Sequence, residues 1–359
     1  MKNCGNMVAT RQALYVATGK ECLVLDPATG KEKTILTLPS TSFKPEWGYL
    51  ACLENILIGS VTREGATYRQ QNRKMTTTYT HYDFTPMVCS DSLFAYDTRT
   101  GKKRWEYKKN QGVIINPAIA AANSTLYFIE STDPSTLKSD NRRVPLPKSL
   151  KSGFFMTALD LKTGKKKWKI RDETPNEFSN ILYLSYSDGI LLVSGSYSDK
   201  ENRKMFYRFK AYDAATGKFL WKRTATDPGI LRGSHGEQDQ HPTIVNGKIH
   251  IMQGTYSLKT GEPEKELAQG NRGWRTGGHG CGTIATSDSY AYYRGATLCR
   301  YNLETGKSET LLATLRPGCF INAIPAGGLV LMPEGSSGCT CLFALQLSIA
   351  LTPINDDEK

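Results

Sequence analysis

Hydrophobic and polar residues alternate in short runs along the whole chain, and turn residues separate the runs. LYVAT (14–18) and KIHIM (248–252) show the pattern. A period of two predicts strands with one buried face. Seven pairs of such runs enclose a small polar turn, and these predicted hairpins begin at residues 6, 48, 115, 180, 241, 282 and 320.

A second pattern follows each of the first six hairpins. AYDAATGKFLWK (211–222) has close copies in AYDTRTGKKRW (95–105) and ALDLKTGKKKW (158–168), and weaker copies begin at Val24, Thr255 and Arg300. The unit predicts two strands, C and D, joined by a Thr-Gly turn in which glycine supplies a positive φ. Its tryptophan falls on strand D, where a large flat ring can cover the gap to the next sheet.

The spacing of the repeat predicts the fold. Successive Thr-Gly glycines lie 71, 63, 53, 44 and 45 residues apart, and units of about 40–50 residues with several short strands are typical of propeller blades. LQLSIALTP (345–353) resembles a seventh strand C without a Thr-Gly turn. We therefore predict an all-β fold, a single domain over 1–359, and a seven-bladed β-propeller of four-stranded blades. Eight blades are the alternative if the natural protein is longer.

Two insertions enlarge the early units. Residues 62–88 and 131–154 both connect strand B to strand C, so a propeller would place both on one face, and long loops on a rigid scaffold are usual binding surfaces. They are mostly basic, and their basic residues are Arg63, Arg69, Arg73, Lys74, Lys138, Arg142, Arg143, Lys148 and Lys151. If this face captures a partner, charge reversal at Arg142/Arg143 or Arg69/Arg73 is expected to weaken capture.

The overall charge of the protein indicates which kind of partner it could bind. The net charge is +12, which favours an acidic partner, although solvated lysines in the repeat turns explain much of the excess. Neither a helix-turn-helix nor a zinc-finger pattern accompanies the charge, so nucleic acid is not favoured. No apolar run is long enough to predict a transmembrane helix, and no apolar segment of a secretory signal follows Met1.

Two consecutive connections between blades carry candidate chemistry. The segment 231–242 supplies Arg232, His235, Glu237, Asp239 and His241, and the segment 271–282 supplies Arg272, Trp274, Arg275, His279 and Cys281. Histidine can transfer protons or bind a metal, and arginine with tryptophan suits an anionic or sugar ligand. We predict ligand contacts from Trp274, Arg272, Arg275, Glu237, Asp239 and Trp47. The candidate catalytic residues are His235, His241, His279, Arg232 and Arg275.

Four of the nine cysteines form a second candidate site. Cys319, Cys339 and Cys341 fall on the same predicted face as His279 and Cys281, and a set of thiolates with one imidazole can bind Zn²⁺ tetrahedrally. A disulfide from Cys319 to Cys339 or Cys341 is the alternative in an oxidising compartment. Unpaired structural thiols are the third possibility.

The A-x-D-x-x-T-G-K-x-x-W unit resembles the repeat of the PQQ-like β-propeller superfamily, which includes BamB-type assembly lipoproteins and quinoprotein dehydrogenases. HGEQDQHP, HGCGTIATS and the terminal C-x-C are most similar to repeat proteins of environmental bacteria described as PQQ-binding-like. The resemblance covers essentially the whole chain and is specific for fold rather than function. Quinoprotein alcohol dehydrogenases use adjacent cysteines over the cofactor, and no two cysteines are adjacent here. PQQ is therefore not favoured as a cofactor, while a metal ion stays open.

Three functions remain at this stage. The first is a non-catalytic binding scaffold of the cell envelope, periplasmic or secreted and monomeric, which holds an anionic polysaccharide or a protein partner. The second is a polysaccharide lyase or hydrolase that uses the His/Arg cluster, with histidine as base and arginine neutralising the substrate carboxylate. The third is a metal- or PQQ-dependent oxidoreductase.

Overall fold

The structure is a computed structural model that describes residues 7–67, 87–175, 177–179, 181–199, 204–225, 241–251, 254–264, 283–318, 322–333 and 347–353. In these residues the elements are 28 strands, a 3-10 helix over Pro134–Lys138 and a short α-helix, α1, over Leu146–Ser149. The strands form seven sheets. This arrangement confirms the predicted all-β class.

We number the strands in chain order and the sheets from one to seven. Sheet one contains β1 (Met7–Ala9), β2 (Leu14–Thr18), β3 (Glu21–Leu25) and β4 (Glu32–Thr37). Sheet two contains β5 (Pro45–Leu53), β6 (Ile56–Arg63), β8 (Ser92–Asp97) and β9 (Lys103–Lys108). Sheet three contains β7 (Met87–Ser90), β10 (Ile114–Ala122), β11 (Thr125–Ser131), β12 (Arg143–Val144), β13 (Phe154–Asp160) and β14 (Lys166–Asp172).

The remaining sheets follow the same order of strands. Sheet four contains β15 (Ile181–Ser187), β16 (Ile190–Asp199), β17 (Lys204–Asp213) and β18 (Phe219–Thr224). Sheet five contains β19 (Thr243–Val245), β20 (Lys248–Ile251) and β21 (Gly254–Ser257). Sheet six contains β22 (Ala285–Thr286), β23 (Tyr290–Gly295), β24 (Thr297–Asn302) and β25 (Ser308–Leu312), and sheet seven contains β26 (Ile324–Ala326), β27 (Leu329–Met332) and β28 (Ile349–Leu351).

All seven predicted hairpins are present, and each supplies two neighbouring strands of its sheet. The prediction of four strands in every sheet was wrong for sheet three. Sheet three has six strands because β7 pairs with the edge of β10 and β12 pairs with β7. Sheets five and seven have three strands each within the described residues.

The six Thr-Gly turns share one set of hydrogen bonds. In the turn of sheet three, Gly164 N donates to Asp160 O at 2.8 Å, and Thr163 N and Oγ1 donate to the Asp160 carboxylate. Gly164 has a φ of +69°, which is the left-handed conformation that the sequence predicted for this position. The lysine that follows this glycine in five of the turns (Lys31, Lys102, Lys165, Lys218, Lys307) is exposed, as expected for a solvated rim.

The repeated tryptophans of sheets two, three and four each join their sheet to the next. Trp105 of sheet two donates its Nε1 hydrogen to Leu161 O of sheet three at 2.8 Å, and its ring lies under Gly164. Trp168 and Trp221 make the same bond to Ala214 O and Leu258 O, at 3.1 and 3.2 Å. The predicted covering role of the tryptophans is therefore confirmed at three places.

Apolar cores lie between consecutive sheets. One unites Leu57 and Phe94 of sheet two with Tyr15 of sheet one, and another unites Ile58 of sheet two with Phe128 of sheet three. Sheet two is therefore buried on both faces, because Leu57 packs toward sheet one and the adjacent Ile58 toward sheet three. At about 25 cal/mol per Å² of apolar area, these cores are the main stabilising term.

Contact clustering divides the chain into two compact units. The first comprises residues 1–72, 83–193 and 211–220, and the second comprises 73–82, 194–210 and 221–359. Sheets one, two and three belong to the first unit, and sheets five, six and seven to the second. The boundaries fall within β16, β17 and β18. The helices of the described residues are too short to cross a membrane.

A buried histidine in sheet five gives a pH prediction. His250 is 2% exposed, its Nδ1 lies 3.0 Å from Thr255 Oγ1, and burial lowers its pKa to about 4, with a smaller effect from the charge of Lys248. An unfolded histidine has a pKa of about 6.5, so the unfolded state binds a proton more readily than the folded state. The free energy of unfolding is therefore highest above pH 6.5 and decreases as the pH falls toward 4. Between pH 7.5 and 5 the loss is about 2 kcal/mol.

Urea unfolding at both pH values checks the prediction. His250→Asn keeps an amide at the Nδ1 position, and we expect it to lose about 2 kcal/mol less than the wild type over the same pH interval. An equal pH dependence in the variant and the wild type would contradict the assignment.

Candidate functional site

Two of the predicted site residues lie in the described part of the chain. Trp47 is 4% exposed, its ring packs edge-on against Phe94 at 4.9 Å, and its Nε1 donates to Lys20 O at 3.2 Å. The structure gives Trp47 a packing role, and its ligand contact stays a prediction. His241 precedes β19, and its Nδ1 lies 2.7 Å from Pro242 O. Burial lowers the pKa of His241, although the bond to Pro242 acts in the opposite direction.

The other predicted residues lie outside the described ranges. They are Arg232, His235, Glu237, Asp239, Arg272, Trp274, Arg275, His279, Cys281, Cys319, Cys339 and Cys341. The described cysteines, Cys22, Cys52, Cys89 and Cys299, are thiols outside any disulfide bond. Within the described ranges, histidine, cysteine and carboxylate side chains do not form a group of three or more that could hold a metal ion. The lyase, metal and disulfide predictions stay predictions.

The described parts of the two insertions contact each other. We call residues 63–67, 87–91 and 131–154 the insertion platform. β12, from the second insertion, pairs with β7, at the end of the first, through Arg143 with Val88 and Val144 with Met87. Arg63 Nη1 donates to Asp140 O at 3.3 Å, and Arg143 Nη1 donates to Ala66 O at 3.4 Å. Backbone pairing and side-chain bonds thus join two loops that are distant in sequence.

A buried ion pair forms the centre of the platform. Arg142 is 2% exposed and binds Asp91 through two bonds, from Nε at 2.8 Å and from Nη2 at 2.9 Å. Lys109 also binds the Asp91 carboxylate, and Arg63 Nε lies 3.5 Å from it. Burial alone would raise the pKa of Asp91, but the hydrogen bonds and charges of Arg142 and Lys109 outweigh it and hold the pKa below its usual value.

The role predicted for Arg142 needs correction. The sequence placed it among the surface residues that capture a partner, whereas the structure buries it against Asp91. Its Nη1 also donates to Leu137 O at 2.9 Å and to Ser139 O. The buried guanidinium therefore donates hydrogen bonds to three residues. It holds the loop in place and cannot contact a partner. Sequence reasoning missed Asp91 because a single aspartate after MVCS (87–90) carries no spacing signal.

Further bonds fix the second insertion on sheet three. Ser131 Oγ donates to Ser149 O at 2.7 Å, and Thr132 Oγ1 donates to Gly153 O at 3.1 Å. Asp133 caps the 3-10 helix by accepting from Ser135 N at 2.8 Å. These bonds anchor the loop to sheet three.

Basic residues outnumber acidic ones, Glu64 and Asp140, among the exposed charged residues of the platform. Lys138, Lys148 and Lys151 are exposed. The pKa of Asp133 is lowered, chiefly because it accepts a hydrogen bond from Ser135 N and to a smaller extent because of the charges of Lys148 and Lys151. The platform therefore presents three solvated ammonium groups on a rigid base.

A cavity of about 810 Å³ lies between sheets six and seven. Tyr290, Tyr292, Arg300 and Leu311 line it from sheet six. From sheet seven, it is lined by Pro325, Ala326, Gly327, Gly328, Leu329, Val330, Leu351, Thr352 and Pro353. Its volume is in the range of ligand sites in proteins, and its walls are mainly apolar.

Residues 87–310 match the family model described as outer membrane protein assembly factor BamB. The chain belongs to this family of PQQ-like β-propeller repeat proteins. BamB from Moraxella catarrhalis is 13% identical, with a TM-score of 0.51 over 94% of this chain and 83% of that chain. This likeness shows the fold.

A second solved structure in the comparison is an oxidoreductase. The quinohemoprotein alcohol dehydrogenase from Comamonas testosteroni is 12% identical, with a TM-score of 0.55 over 92% of this chain. The chain spans only 62% of the length of that enzyme, and the likeness again shows the fold alone. No curated protein matches the chain significantly.

Proposed function

We propose that the protein is a non-catalytic binding scaffold of the cell envelope and that it captures an acidic partner on the insertion platform. The observation that carries the proposal is the group of exposed lysines on the second insertion, Lys138, Lys148 and Lys151, in a loop that pairs with the first insertion. Family membership supports the same class of function, because the family model describes an assembly factor.

The chemistry of the platform favours binding over catalysis. Its buried carboxylate, Asp91, has a lowered pKa and is bound by Arg142 and Lys109. A carboxylate held ionised in this way is a poor general base, because its pKa lies far from neutral pH. The exposed lysines suit electrostatic attraction, which is strongest at low salt.

The partner is an acidic protein surface in this proposal. Membership of a family of assembly factors favours a protein over the anionic polysaccharide that the charge alone allows. We also infer that the seven sheets are blades of one propeller over 1–359, with both insertions on one face, and that the protein is a periplasmic or secreted monomer. The shared strand order and the three tryptophan bonds support the propeller.

Charge reversal tests the scaffold. The triple variant K138E/K148E/K151E changes the platform, and K102E/K165E/K218E makes the same change in three exposed turn lysines. Poly-L-glutamate serves as a model of an acidic protein and polygalacturonate as a model of an acidic glycan, with affinity measured by biolayer interferometry at several salt concentrations. We expect the platform variant to bind polyglutamate at least about tenfold more weakly, and the turn variant to stay within about threefold of the wild type.

The outcomes separate the alternatives. Equal losses in both variants would show that net charge alone drives binding, and this result would overturn the platform as the site. Stronger binding of polygalacturonate than polyglutamate, lost in the platform variant, would keep the platform and replace the protein partner by a glycan. Melting temperatures of both variants establish that the fold is intact.

A further inference from the structure

The cavity between sheets six and seven lies at an interface that corresponds to three others where a tryptophan bonds to the following sheet. Sheets two, three and four each insert a tryptophan that bonds to the following sheet. In sheets two and three this tryptophan pairs across the strands with an alanine, Ala95 with Trp105 and Ala158 with Trp168. In sheet six the corresponding cross-strand pair is Arg300 with Glu309.

The registers of the sheets establish this correspondence. In sheet three, Tyr127 of the second strand pairs with Ala158 of the third, and Ala158 pairs with Trp168. In sheet six, Tyr292 pairs with Arg300 in the same way. By strand pairing, an arginine and a glutamate therefore stand where sheets two and three carry alanine and tryptophan. The residue four positions after the turn glycine, Thr310, pairs instead with Cys299.

Sheet seven keeps the backbone acceptor of the tryptophan bond. Leu126 pairs with Leu159 in sheet three, two residues before the acceptor Leu161. Val330 pairs with Leu351 in sheet seven, so Pro353 holds the register position of Leu161. Pro353 lines the cavity. Its carbonyl accepts from Thr352 Oγ1 at 2.9 Å, and a carbonyl oxygen can accept a second bond.

The side chains of the cavity define the ligand. Arg300 lies 4.7 Å from the centre of the Tyr290 ring and forms an ion pair with Glu309. Both members of the pair are partly exposed, at 34% and 54%. A carboxylate entering the cavity can therefore compete with Glu309 for a guanidinium that Tyr290 holds in place.

We propose that this cavity binds a small aromatic carboxylate of the size of an indole. The ring occupies the space that tryptophan takes at the other interfaces, between Leu311, Val330 and Leu351. Its N–H group donates to the Pro353 carbonyl, and its carboxylate pairs with Arg300. The site is separate from the insertion platform, so each proposal can fail without the other.

Titration calorimetry with indole-3-acetate tests the proposal. Arg300→Gln removes the cation, and we expect binding to weaken at least about tenfold. Glu309→Gln removes the competing carboxylate and leaves Arg300 in place, so binding should tighten about threefold to tenfold. Ala326→Trp, at an exposed position on the cavity wall, should abolish binding by filling the space.

Controls on the ligand separate its groups. Indole lacks the carboxylate and should bind the wild type and Arg300→Gln equally. The absence of wild-type binding at concentrations on the order of millimolar would overturn the proposal. Unchanged affinity in both Arg300→Gln and Glu309→Gln would overturn the role of the ion pair, and unchanged affinity in Ala326→Trp would overturn the cavity as the site.

Discussion

Replacing Asp91 with alanine will lower the free energy of unfolding by about 3–5 kcal/mol, because it leaves the guanidinium of Arg142 buried without its carboxylate. Arg142 is 2% exposed and Asp91 is 6% exposed, so water cannot replace the lost partner. Chemical denaturation followed by circular dichroism measures the loss. The same change at Asp140, which is exposed, should cost less than about 0.5 kcal/mol.

A double variant tests the cause. Asp91→Ala with Arg142→Met removes both charges, and we expect it to recover much of the stability lost in Asp91→Ala, since an unpaired buried charge costs more than an apolar replacement. If Asp91→Ala alone is as stable as the wild type, the pair does not hold the platform together.

The second large effect is expected where a glycine lies against a tryptophan. A Cβ at Gly164 would come within 2.6 Å of the Trp105 ring. Gly164 also has a φ of +69°, so Gly164→Ala combines backbone strain of about 1 kcal/mol with overpacking of about 1–3 kcal/mol. The predicted loss is about 2–4 kcal/mol, measured by thermal unfolding and by tryptophan fluorescence.

Gly30 is the matched control for this prediction. It occupies the same position of the Thr-Gly turn in sheet one, its φ is also +69°, and a Cβ there would meet nothing within 4 Å. Gly30→Ala should therefore cost only the backbone term, about 1 kcal/mol. Equal losses at the two positions would show that the tryptophan contact adds nothing.

The strands were predictable because each turn carries a local signal. Asp160, Thr163 and Gly164 form hydrogen bonds within their own turn, so the residues that build it lie within five positions of one another. The same locality made the hairpins readable, since their alternation and turn residues are adjacent in sequence.

The insertion platform was only partly predictable, because its contacts join residues far apart in the chain. Arg142 and Asp91 lie 51 positions apart, and nothing in the local sequence of either residue indicates the other. From the sequence, all basic side chains of a loop are expected to be exposed to solvent. The structure divides it into a buried arginine that holds the loop and exposed lysines that can meet a partner.

The cavity could not be predicted from the sequence, again because it depends on residues far apart in the chain. Arg300 falls in a weak copy of the repeat, RYNLETGK (300–307), and a weak copy by itself indicates only divergence. The functional interpretation of Arg300 depends on the following sheet, where Pro353 holds the register position that Leu161 has in sheet three. Only the registers of two neighbouring sheets show that an Arg–Glu pair in sheet six holds the register position that an alanine and a tryptophan hold in sheets two and three.

The tryptophan bonds also bear on how such a chain can lengthen during evolution. Sheets three and four each contain both halves of the joint, an acceptor carbonyl for the preceding sheet (Leu161, Ala214) and a tryptophan for the following one (Trp168, Trp221). A tandem duplication of one such segment would therefore deliver a copy that already fits its neighbours on both sides. Gene duplication can add a repeat here without first inventing a new interface.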